Sequence, residues 1–142
     1  MEIWICERDG ANARQLTNLA GPSAGAPNWS PDGSQIVFDA RLPGSAIFVI
    51  PAAGGAEARV VDSLGYWQNF SLVAAGIYYV PAADGPRIPI RFFDLASGVS
   101  RLEATVESLS SQGISAASDR RSLVFSRRET ADRDLMLMEI GR

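Results

Sequence analysis

The chain of 142 residues contains no histidine and no lysine; all 13 of its basic residues are arginine. Without histidine there is no Ser-His-Asp triad, no Cys-His dyad and no imidazole-ligated metal. Without lysine the glycine-rich stretch GGAEA (54–58) lacks the cation of a phosphate loop, and no GxGxxG is present. Cys6 is the only cysteine, which excludes an intrachain disulfide and a thiolate metal cluster. It lies in the apolar run IWIC (3–6) and reads as a small buried hydrophobe. Serines are frequent, yet GxSxG is absent and no ordinary base is available to activate one. The aspartates are scattered, none at a spacing that demands general acid/base work, and DGSQ (32–35) lacks the alternating oxygen ligands of a calcium loop. No enzyme activity, cofactor or metal site is therefore expected. The formal net charge of −3 argues against nucleic acid as a partner of this segment.

Long apolar runs are also missing. None approaches the ~20 residues that cross a bilayer as a helix. MEIWICERDG (1–10) has neither a basic n-region nor a long apolar h-region, so it is not expected to be a secretory signal. Amphipathic helices are scarce too: ANARQLTNLA (11–20) and VESLSSQG (106–113) are the best candidates, and both are short and weak.

What the chain does contain is a series of short apolar bursts: IWI (3–5), IVF (36–38), IFVI (47–50), VV (60–61), IYYV (77–80), FF (92–93), LVF (123–125) and LMLM (135–138). Turn residues separate them: Asp9-Gly10, Pro31-Asp32-Gly33, Pro43-Gly44, Gly54-Gly55, Asp84-Gly85-Pro86 and Ser97-Gly98. Such punctuation reads as strands. IFVI and LMLM do not alternate, so those strands are covered on both faces. With no crossover helices to cover them, sheets must cover sheets.

The chain also repeats itself. NWSPDGSQIVFDAR (28–41) aligns after 87 residues with SAASDRRSLVFSRR (115–128), placing Asp32 on Asp119 and Ile36-Val37-Phe38 on Leu123-Val124-Phe125. After 41 residues it meets NFSLVAAGIYYVPA (69–82), with Trp29 on Phe70, Ser30 on Ser71 and Ile36 on Ile77. Steps of this size suit one four-stranded propeller blade, which cannot bury both faces alone and so stacks between neighbours. In the SPDG turn, Pro31 fixes φ, Asp32 bonds back to backbone amides and Gly33 takes the left-handed position.

WSPDGSQIVF (29–38), preceded by IWICERDGANARQLT (3–17) and followed by IFVIPAAGGAEARVV (47–61), resembles the WD-repeat-like repeats of TolB-like β-propellers. GIYYVPA (76–82), IRFFDLASG (90–98) and SLVFSRRETADRDLMLMEI (122–140) resemble the final blades of such propellers. The resemblance covers nearly the whole chain, but the later copies are degenerate. FSLVA (70–74) has lost both Asp and Gly, and ASDR (117–120) keeps Asp119 but places Arg120 where glycine belongs. Those turns must adopt another geometry or carry strain.

The expected fold is all-β: a partial β-propeller of about three four-stranded antiparallel blades, about thirteen strands in all. Residues 1–18 are expected to supply the last strands of a preceding blade, 27–62 and 67–103 whole blades, and 114–140 an incomplete terminal blade. This amounts to about half a closed ring. The chain is thus expected to form a homo-oligomer or to be completed by additional blades.

The resemblance implies a non-enzymatic module that binds a protein, a peptide or a small ligand, as the sensory or scaffolding part of a larger bacterial regulator or kinase. The alternatives are a substrate-gating portion of a peptidase-type enzyme and a truncated propeller without activity of its own. It also implies a periplasmic location in a membrane-anchored sensor and a cytoplasmic one otherwise. Loops lining one rim are carried over as 39–46, 81–88 and 126–133, together with 20–26, 63–68 and 104–113. On that rim Arg41, Tyr66, Trp67, Arg127 and Arg128 are the expected partner contacts, because Trp, Tyr and Arg dominate interface energetics. Trp67 serves equally well as a core residue. Trp29 is expected to pack between blades, and Pro31, Asp32, Gly33 and Asp119 to be structural turn residues.

Overall fold

The computed structural model of the chain describes residues 1–42, 44–107, 109 and 113–127, and of Leu42 the backbone only. Pro43, Arg128 and the LMLM strand expected near 134–140 lie outside the described residues. Every element described is a strand, and they succeed one another as antiparallel neighbours. β1 (Trp4–Ile5) and β2 (Arg14–Gln15) form a two-stranded sheet. β3 (Ser23–Trp29), β4 (Gln35–Leu42), β5 (Gly44–Pro51) and β6 (Ala58–Leu64) form a four-stranded sheet in chain order. β7 (Phe70–Val73), β8 (Gly76–Tyr79), β9 (Ile88–Asp94) and β10 (Ser100–Val106) form a second. β11 (Ile114–Ala116) and β12 (Leu123–Phe125) pair as a further hairpin.

The core follows from the two-residue period of a strand, which sends successive side chains to opposite faces. On β4, Ile36, Phe38 and Ala40 join Ile3, Ala24, Phe48 and Ile50 in one cluster, against the β1–β2 side. On the other face Val37, with Ile47 and Val49 of β5, meets Phe70, Ile77 and Tyr79 of the second sheet. IYYV splits in the same way. Ile77 and Tyr79 face back toward the first sheet, while Tyr78 and Val80 join Ile90, Phe92 and Ile114 toward β11–β12. The IFVI and IYYV runs are therefore buried on both sides, and sheets cover sheets among the described residues. This is the arrangement of a partial β-propeller.

Hydrogen bonds between consecutive sheets supplement the apolar layers. The Ala24 amide donates to the Met1 carbonyl, tying β3 to the N-terminal sheet. The Gln68 amide donates to the Asp39 carboxylate. The Gly113 and Ala116 amides donate to Asn69 Oδ1 and Ser71 Oγ.

Four expectations are corrected. Cys6 is exposed, not buried, because the two-stranded N-terminal sheet is too small to enclose it. Trp29 ends β3 and stays 54% exposed; the two-residue strands β1 and β2 cover only part of the face beside it. The alignment of Trp29 with Phe70 and Ser30 with Ser71 does not hold in the register. Trp29 faces Ile36, seven positions on, whereas Leu72 faces Ile77, five positions on. The β7–β8 hairpin is thus shorter by two residues, and Phe70 and Ser71 lie within a strand. Because the slip equals one strand period, the inward face is preserved. Finally, the 39–46 segment is not an open loop: β4 and β5 run to Leu42 and from Gly44, so only position 43 separates them.

Candidate functional site

Three of the five expected contact residues come together at the end of β4. Val37, Asp39 and Arg41 alternate onto the face that looks at the second sheet. Val37 is buried in the core, Asp39 is only 2% exposed, and Arg41 emerges at the rim. There the Arg41 guanidinium sits 4.6 Å from the centre of the Trp67 ring, a cation–π arrangement. Trp67 is half-buried, and its ring lies 6.0 Å from that of Tyr66, which is 38% exposed.

The segment carrying these rings is held by Asp39. Its Oδ2 accepts a 2.7 Å hydrogen bond from the Gln68 amide, and Gln68 adopts the left-handed φ of 66°. Burial pushes the Asp39 carboxyl above the usual carboxylate range, against the opposing pull of the Gln68 amide and the Arg41 charge. Asn69, also buried, takes up the next link: its amide donates to the Tyr66 carbonyl and its Oδ1 accepts from the Gly113 amide.

Two clefts open on either side of Tyr66. One, of about 320 Å³, is lined by Tyr66, Asn69, Val80, Pro81, Asp84 and Ile88, among others. The other, of about 440 Å³, is lined by Arg41, Ser45, Leu64, Trp67 and others. Gly65, Tyr66 and Ala82 border both, so the clefts adjoin along the rim. Gly65 makes this floor. Its amide donates to the Val80 carbonyl, and a Cβ there would stand 2.7 Å from the Pro81 carbonyl oxygen.

The remaining expected residues lie elsewhere. Arg127 is exposed beyond β12, and Arg128 is outside the described residues. In the turn after β3, Ser30 Oγ and the Ser34 amide donate to Asp32 Oδ1, and Ser34 Oγ donates to Oδ2. These donors, Ser30 first, lower the Asp32 carboxyl to about 2. Pro31 begins this turn, and Gly33 sits at φ 71°. The turn after β11 makes the same backbone bonds 87 residues later, with the Arg121 amide on Asp119 and Arg120 at φ 61°. Arg120 places its guanidinium 4.3 Å from the Phe92 ring centre and 3.4 Å from the Tyr78 hydroxyl.

Asp39 and Asn69 were not among the residues the sequence singled out. The available signal was a lone carboxylate in IVFDA (36–40), a stretch otherwise apolar on both faces. Among the described residues no group of His, Cys, Asp and Glu is placed to hold a metal ion. Among the described residues no helix is long and apolar enough to cross a membrane.

A run of antiparallel sheets stacked face to face, with a cleft where two sheets meet at the rim, defines the β-propeller class. The particular likeness is to TolB. A TolB structure from Acinetobacter baumannii superposes with a TM-score of 0.72 at 14% identity, over 90% of this chain and 32% of that one. A protein described as TolB from Agrobacterium tumefaciens does so with a TM-score of 0.58 at 23% identity, over 75% of this chain and 42% of that one. The chain thus has the TolB-like propeller fold and spans about a third to two-fifths of those molecules. The sequence matches no protein-family model and no curated protein.

Proposed function

We propose that the chain is a non-enzymatic binding module whose rim, between the β4–β5 hairpin and the β8–β9 connection, takes a protein or peptide partner. The observation that carries this reading is the Arg41–Trp67–Tyr66 cluster standing over two adjoining clefts. Aromatic and arginine side chains held in place by buried hydrogen bonds are the usual anchors of an interface. Selection of displayed random peptides on the immobilised chain tests it. Peptides are expected to be enriched on the wild type and lost on Tyr66→Ala, while Trp29→Ala retains them. Failure to enrich any peptide, or equal enrichment on Tyr66→Ala, contradicts the reading.

In its host the module serves as a sensory or scaffolding part, with its sheets continued by further blades or by a second copy of the chain. Support comes from the apolar cleft between the N-terminal sheet and β3, where Trp4 is 60% exposed beside Ile3, Leu16 and Trp29. Apolar surface of this kind favours association. Light scattering is expected to show a dimer or larger species; a 15.2 kDa monomer at all concentrations contradicts this part.

A further inference from the structure

The cleft is electrically polar from end to end. Arg41 stands at one end and Asp84 lines the other. Arg41 is exposed and has no ion-pair partner among the described residues, whose ion pairs are Arg59–Asp62 and Arg101–Glu103. The nearby Asp39 carboxylate is turned to the Gln68 amide and buried. Trp67 holds the guanidinium by its ring face, leaving the planar N–H fork free to meet a carboxylate. Beyond Tyr66 the lining is mixed: Val80, Pro81, Ile88 and Leu109 form an apolar strip beside Asn69 and Asp84.

We propose that this cleft takes an acidic peptide segment, its carboxylate on Arg41 and a neighbouring apolar side chain between Tyr66 and Ile88. The inference rests on the reading of the rim as a peptide-binding surface and adds the chemistry of the ligand. Charge complementarity sets the orientation. A carboxylate is attracted to the Arg41 end and repelled at the Asp84 end, and the apolar residue fills the cleft between them. A basic segment finds its only lining carboxylate, among the described residues, at the opposite end from the stacked guanidinium.

The test uses the whole 142-residue chain and fluorescein-labelled hexapeptides with one Asp beside one Phe, in both orders, in a Gly-Ser background. Matched peptides carry Asn or Lys for Asp, or Ala for Phe, and fluorescence anisotropy reads binding. The Asp-Phe peptides are expected to bind roughly tenfold more tightly than the Asn peptides, the ratio a charged hydrogen bond supplies. Arg41→Ala is expected to erase that preference, Arg41→Lys to restore part of it, and added salt to narrow it. Arg41 is exposed and gives up only its Trp67 contact, so thermal unfolding of Arg41→Ala should fall by no more than a few degrees and serve as the folding control. Equal binding of the Asn or Lys peptides, or an Asp preference that survives in Arg41→Ala, overturns the inference. If neutral peptides bind in a Tyr66-dependent manner without regard to charge, the rim reading stands and the acidic ligand falls. If no peptide of any charge binds, both fall.

Discussion

Asp39 on β4 accepts the backbone amide of Gln68 at 2.7 Å, joining the first four-stranded sheet to the segment that presents Tyr66 and Trp67. One buried carboxylate thus sets the position of the rim. Asp39→Ala leaves the Gln68 amide without its acceptor, and because Gln68 is exposed and water can take the acceptor's place the cost is about 1 kcal/mol. Denaturant unfolding is expected to show that loss. With Trp4 and Trp29 both replaced by Phe, quenching of the remaining Trp67 emission by iodide is expected to rise as the segment loosens.

The pH dependence of stability separates two aspartates of opposite sign. Burial raises the folded-state Asp39 value, so the folded state binds the proton more readily than the unfolded chain. Its contribution is most favourable below the unfolded value, 3.8, and is lost as pH rises through the folded one. Asp32 is lowered to about 2, so its contribution is present above 3.8 and is lost as pH falls toward 2. Melting temperatures measured across pH are expected to show Asp32→Asn converging on the wild type in acid. Asp39→Asn is expected to gain on the wild type as pH rises. Parallel curves for either pair contradict the assignment.

Arg120 occupies the position that Gly33 fills in the equivalent turn, at φ 61° against 71°. A side chain in this conformation costs about 1–2 kcal/mol, while its cation–π contact with Phe92 returns about 0.5–1 kcal/mol. The two nearly cancel, so Arg120→Gly is expected to change stability by less than about 1 kcal/mol. Arg120→Ala loses the contact and keeps the strain, and is expected to be less stable than Arg120→Gly by about 1 kcal/mol. Urea unfolding of the three proteins decides it.

Gly65→Ala places a methyl 2.7 Å from the Pro81 carbonyl oxygen, a backbone atom that cannot swing aside. A loss of about 1–3 kcal/mol is expected from the overpacking. Peptide binding at the rim is expected to weaken with it, since the same glycine borders both clefts.

Cys6 offers a quick check of the N-terminal sheet. Its exposure predicts complete reaction with a thiol reagent in the native protein, without denaturant.

Much of this fold was legible because two-sided burial writes itself as unbroken apolar runs such as IFVI and IYYV. The turns were legible from Asp-Gly and Pro-Asp-Gly. The site was only half legible. Arg41, Tyr66 and Trp67 stand out by residue type, yet their meeting depends on a long-range bond from Asp39, whose only local mark is its place among apolar strand residues. The 39–46 segment reads as a loop, whereas β4 pairs with β5 as far as Leu42 and Gly44. The exposure of Trp29 was hidden as well, since it depends on how far a sheet of two-residue strands reaches.

The central claim is that the rim between the two four-stranded sheets is where a partner binds. Hydrogen exchange of the chain with and without a selected peptide tests it most directly. Added protection is expected at the amides of 44–45, 64–69 and 80–88, with 27–29 beside the Trp4–Trp29 cleft unchanged. Protection confined to that second cleft, or absent from 64–69, would contradict the account.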